Sequence, residues 1–134
     1  MVREIYVAGT VVEACGKILI LCRKSGSFTG TWGLPAGKIE VGESDLDGAR
    51  RELFEETGIN VIAEDLEFIE NFNWHFPNKT IIFPAYRLKL SNIVDIKIDP
   101  SEHSDFKWVT PEECYAMNNL IPGFPEFLKK VYLG

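Results

Sequence analysis

No apolar stretch in this chain is long enough to cross a bilayer as a helix. The longest run of that kind, "KILILC" at 17–22, falls far short of the roughly 20 residues such a span needs. The opening "MVREIYVAGT" lacks both the apolar core and the small-residue cleavage site of a secretory signal, so a cytoplasmic location is expected. Cysteine is scarce and odd in number, Cys15, Cys22 and Cys114, with no CxxC pair. That excludes a disulfide framework and a cysteine zinc site, and predicts three reduced, mostly buried thiols. A basic surface is missing as well: 14 basic residues against 20 acidic ones give a net charge of −6. Nonspecific nucleic-acid binding, which needs a positive face, is not expected. A small phosphorylated ligand stays open, provided cations mediate the contact. Repeats, low-complexity tracts and inter-domain linkers are absent too. With 46% hydrophobic and 12% aromatic residues, 1–134 reads as a single domain with a real core.

What is present alternates strand-like and helical patterns. Residues 5–13, "IYVAGTVVE", are β-branched and aromatic; "ACGK" turns the chain and "ILILCR" returns it, which predicts a hairpin. A glycine-rich loop is expected from 24 to 38. Ser44 is the expected N-cap of a helix with Asp45 and Asp47 in its first turn. Leu46, Ala49, Leu53 and Thr57 form its inner face, and Gly58 its left-handed stop. Gly48 weakens that helix by roughly 1 kcal/mol relative to alanine, which points to close packing there. Further strands are expected at 66–72, 80–90 and 104–109, the second at an edge or bulge because Pro84 lies inside it. "TPEECYAM" carries a capping box, and "PEFLKKVYL" reads as a short amphipathic helix. The sum is an α+β fold, a mixed sheet flanked by helices in an α/β/α sandwich.

The polar face of the first helix is unusual. In "RELFEETG", Glu52, Glu55 and Glu56 share one face, although like charges at that spacing cost roughly 0.2–0.5 kcal/mol per pair. Glu43 stands just before the N-cap. Such a density of hard oxygen ligands suits Mg²⁺ or Mn²⁺. The plainer alternative is a solvated acidic face with Arg50 and Arg51 as ion-pair partners.

Spacing favours the metal. The segment "GKIEVGESDLDGARRELFEETGI" resembles the Nudix box: a glycine, five residues, Glu, seven residues, then Arg-Glu-apolar-x-Glu-Glu-x-Gly-apolar. Gly37, Glu43, Arg51, Glu52, Leu53, Glu55, Glu56, Gly58 and Ile59 fill every defining position. The resemblance implies an α/β/α sandwich and Mg²⁺- or Mn²⁺-dependent hydrolysis of a nucleoside diphosphate linked to another group. A cation bound by the glutamates would reverse the local charge and so relieve their repulsion. By the same resemblance, Glu55 and Glu56 are metal ligands, and the Gly37 carbonyl adds another oxygen. Glu52 bridges to metal or deprotonates the attacking water, and Arg51 holds Glu43 or Glu52 in place. A further acid often lies outside the box in this family. Here "PSEHSDFKWV" makes Glu102 the candidate ligand or base, with His103 and Asp105 as weaker alternatives. Many family members are dimers, so a homodimer is a further expectation.

The substrate is less legible. "WHFPN" partly resembles the motif of NADH pyrophosphatase-like members but departs from it at His75 and Lys79. Phe28, Trp74 and Phe76 are candidates for stacking on a base, and Arg23 for a phosphate contact. A nucleoside triphosphate, ADP-ribose and an NDP-sugar remain open as substrates. Two other classes stand beside the enzyme: a catalytically idle nucleotide-binding regulator of the same fold, and an acidic interaction domain.

Overall fold

A computed structural model describes residues 2–133. Its centre is one sheet of seven strands. The hairpin forms as expected from β1 (Arg3–Ala14) and β2 (Lys17–Arg23). Two short strands follow, β3 (Trp32–Gly33) and β4 (Ala36–Lys38), then β5 (Leu66–Phe76), β6 (Lys79–Leu90) and β7 (His103–Val109). The main order is β3-β2-β1-β6-β5, with β4 also on β1 and β7 also on β2. Among the strand pairs of the described residues, only β1 and β6 run parallel. β1 changes partner along its length, pairing with β2 at Glu13 and Ala14 but with β4 at Val7, Ala8 and Gly9.

Period-two alternation distributes the core over both faces of the sheet. Val11, Ile18 and Ile20 pack on one side with Phe72, Phe83, Phe124 and Phe127. Val12, Leu19 and Leu21 point to the other, against Ala49 and Leu53 of helix α1 (Asp45–Thr57). On the first side lie α2 (Pro111–Tyr115), through its buried Cys114, and α3 (Phe124–Leu128), which continues into a π-helical turn at Lys129–Leu133. The α+β sandwich expected from the sequence is the observed one. Strands buried on both faces explain why β1 and β2 read as nearly unbroken apolar runs.

The helix caps follow their sequence signals. Ser44 Oγ accepts from the Asp47 N–H at 3.1 Å, and Gly58 closes α1 at φ 80°. The packing inferred at Gly48 is present, since a Cβ there would lie 3.3 Å from Ile39 and 3.2 Å from Glu43. In α2, Thr110 and Glu113 complete the capping box.

Two expectations need correction. The 24–38 loop is not wholly irregular: β3 and β4 form there because β2 and β1 offer free ladder positions. Pro84 sits on an interior strand, between β1 and β5. The parallel β1–β6 ladder is interrupted between the Tyr6–Ile82 and Gly9–Ala85 pairs, so the missing proline N–H falls in a gap. The bulge lies on the neighbouring strand β5, between Phe68 and Glu70. Among the described residues no helix is long and apolar enough to cross a membrane.

Candidate active site

Helix α1 places Arg51 at the centre of the acidic cluster. Its Nε and Nη2 donate to the two oxygens of Glu43 at 2.8 and 3.0 Å, a two-pronged pairing that fixes the Glu43 carboxylate. Nη1 donates to Glu52 Oε1 at 2.9 Å and Glu55 Oε1 at 3.1 Å, while Nη2 also reaches the Lys38 carbonyl at 3.0 Å. The sequence left Glu43 and Glu52 as alternative partners; one guanidinium takes both. The pairing holds the Glu43 carboxyl down at about 2.

Glu56 has the opposite environment. It is buried, and its Oε1 accepts the Ala36 N–H at 2.8 Å, the neighbouring strand β4 supplying the donor. Burial, chiefly, and the adjacent Glu52 carboxyl push its proton affinity up; burial does the same to Glu52. Glu52 in turn presses against Gly37, where an added Cβ would fall 2.1 Å from the Glu52 carboxyl carbon. A side chain at position 37 would need the Glu52 carboxyl to move aside.

These groups open onto a cleft of about 730 Å³. Gly37, Glu52, Glu55 and Glu56 form one part of its lining, and Arg23, Phe28, Trp74 and Phe76 line it as well. Glu102 is exposed on its rim, next to the buried His103, while Asp105 is directed to its own Phe106 N–H at 2.8 Å. Phe28 is held at φ 61°, where non-glycine residues are uncommon. Its carbonyl accepts from Thr31 Oγ1 at 2.6 Å, and Arg23 Nε braces the same loop through the Ser27 carbonyl at 2.7 Å. Trp74 is more tightly held than a free stacking platform. It packs on Phe83 with ring centroids 5.0 Å apart, and a Cβ on Gly123 would come within 2.6 Å of its ring.

A model of the NUDIX domain matches residues 3–131. This chain belongs to the Nudix family. It is 34% identical over 112 residues to a MutT-like protein of Streptomyces ambofaciens, covering 82% of this chain and 66% of that one. Phosphatase NudJ of Escherichia coli K12 is 33% identical over 111 residues, covering 82% and 71% respectively. Among solved structures, the MutT protein of Methanosarcina mazei Go1 superposes with a TM-score of 0.84 at 27% identity, covering 96% of this chain and 93% of its own. The hydrolase class expected from the box stands with the family.

Nudix enzymes typically use divalent metals, and the donors here fit such an ion. They are hard carboxylate oxygens, and the buried Glu56 has a backbone N–H but no guanidinium among its hydrogen-bond partners. Among the described residues, however, no three His, Cys, Asp or Glu side chains form a ready-made cage, since Arg51 draws on Glu52 and Glu55.

Several cleft residues escaped the sequence reading. Arg3 and Lys79 sit opposite each other on β1 and β6 at the cleft's margin, and Phe124 and Phe127 of α3 close a wall. Only the charge of Arg3 and Lys79 marked them, and charge is common at strand ends. Arg87 does not line the cleft and instead joins Glu13 at 3.2 Å and Glu67 at 3.6 Å. His75 hydrogen-bonds Thr80 Oγ1 at 3.1 Å and does not line the cleft.

Proposed function

We propose that this Nudix chain hydrolyses the pyrophosphate bond of a nucleoside diphosphate linked to another group, with Mg²⁺ or Mn²⁺, releasing a nucleoside monophosphate or its equivalent. The observation that carries this reading is the single cleft joining a carboxylate cluster to aromatic and cationic side chains. One part suits a cation, the other a base and phosphates.

Glu52, Glu55, Glu56 and the Gly37 carbonyl would hold the ion, with Glu102 as a further ligand. Bound there, it would neutralise phosphoryl charge and make coordinated water more acidic. Arg51 fixes the rotamers of Glu43, Glu52 and Glu55 and keeps them from repelling one another apart. Glu52 or Glu102 accepts the proton of the attacking water. Arg23 contacts phosphate, and Phe28 and Phe76 hold the base, with Trp74 lining the same cleft.

A turnover screen with ADP-ribose, NADH, dinucleoside polyphosphates and (d)NTPs under Mg²⁺ tests the proposal, beside melting curves with and without the metal. Hydrolysis of at least one compound, and a metal-dependent rise in melting temperature, are expected. A panel with no turnover and no stabilisation by metal plus nucleotide would overturn it.

A further inference from the structure

The chain has two histidines, and the structure treats them in opposite ways. His75 is exposed and paired with Thr80. His103 is 4% exposed on the cleft wall, and its Nδ1 is enclosed with no hydrogen-bond partner among the described residues. Buried polar groups are normally paired, and an orphaned N–H is rarer than an orphaned lone pair. The neutral ring therefore carries its proton on Nε2, which leaves a donor for the cleft.

The backbone around His103 is fixed. Its N–H donates to the Asp99 carbonyl at 2.9 Å, and the preceding Glu102 carbonyl accepts from Lys24 N–H at 2.9 Å. Lys24 Nζ also ties down the Pro100 carbonyl at 2.8 Å. Across the ladder His103 is paired with Arg23, where a bulge follows Cys22. A donor on an immobile ring that lines the cleft, with a guanidinium for a neighbour, suits an anionic oxygen.

Resting on the pyrophosphohydrolase reading above, we propose that His103 binds substrate: its Nε2–H donates to a non-bridging phosphoryl oxygen, beside Arg23. This differs from metal ligation, which would need a lone pair directed at the ion.

Inorganic pyrophosphate with Mg²⁺ is the probe, measured by calorimetry and by the ¹⁵N and ¹H resonances of the imidazoles. In the unsubstituted protein the His103 Nε2 signals should move on titration while those of His75 stay in place. His103→Phe preserves a packed ring and should weaken pyrophosphate binding roughly tenfold, since a hydrogen bond to a charged group is lost. His103→Gln, which restores a donor, should recover much of that loss, and adenosine binding should not change. If pyrophosphate binds equally well to the Phe variant, or if adenosine alone loses affinity, the role of His103 is overturned. Should the Phe variant not fold, the imidazole resonances decide: a static His103 signal in protein that does bind pyrophosphate overturns the role. Absence of any pyrophosphate binding to the unsubstituted protein would overturn the hydrolase reading itself.

Discussion

The α-carbon of Gly37 leaves no space for a methyl group, because the carboxyl of Glu52 occupies the position a Cβ would take, 2.1–2.4 Å away. Gly37→Ala must therefore displace Glu52, and misplacement of a reacting group by about 1 Å costs on the order of a hundredfold. Steady-state kinetics should show a fall of roughly that size in kcat/KM. A variant with full activity would show that Glu52 need not stay where it lies.

Glu55→Gln separates charge from shape. The residue is exposed and its carboxylate contacts Arg51, so the fold should tolerate the amide. Loss of one negative charge from the ion site should lower turnover far more than nucleotide affinity. Comparing kcat with equilibrium binding of a product nucleotide checks this, and an unchanged kcat would remove Glu55 from the chemical step.

Glu43 gives an acid-side signature. Its hydrogen bond with Arg51 lowers its folded-state value from 4.5 to about 2. A carboxyl depressed in this way contributes stability that is complete above the unfolded value and is lost as pH falls through the folded one. The gap in melting temperature between the parent and Glu43→Gln should be widest above about pH 4.5 and close toward pH 2. A gap that grew with acid would contradict the pairing.

The cysteines predict a chemical difference. Cys15 is exposed and Cys114 buried, with burial pushing the Cys114 thiol up to about 12. A thiol reagent at neutral pH should label Cys15 in the folded protein and reach Cys114 only after unfolding. Mass mapping of the labelled peptides reads the outcome directly.

The parts of the site that were legible in the sequence are those set by local geometry. Glu52, Glu55 and Glu56 fall together because a helix makes neighbours of residues three and four apart, and its caps announce themselves at Ser44 and Gly58. The hairpin and the later strands followed from β-rich runs bounded by turns. Pairing across long separations was not legible. Nothing local says that β4 will lie on β1, that Pro84 falls where a ladder is already broken, or that Arg87 turns to Glu13 and Glu67. His103 was named in the sequence only for its place beside Glu102; its solitude became visible once β7 was laid against β2.

The cleft borrows Arg3, Ile5 and Val7 from the first strand and Phe124 and Phe127 from the last α-helix. During translation the acidic turn therefore emerges from the ribosome well before the aromatic wall that completes the chamber. A helix carrying the glutamates has nowhere to confine a nucleotide until strand and wall are both in place.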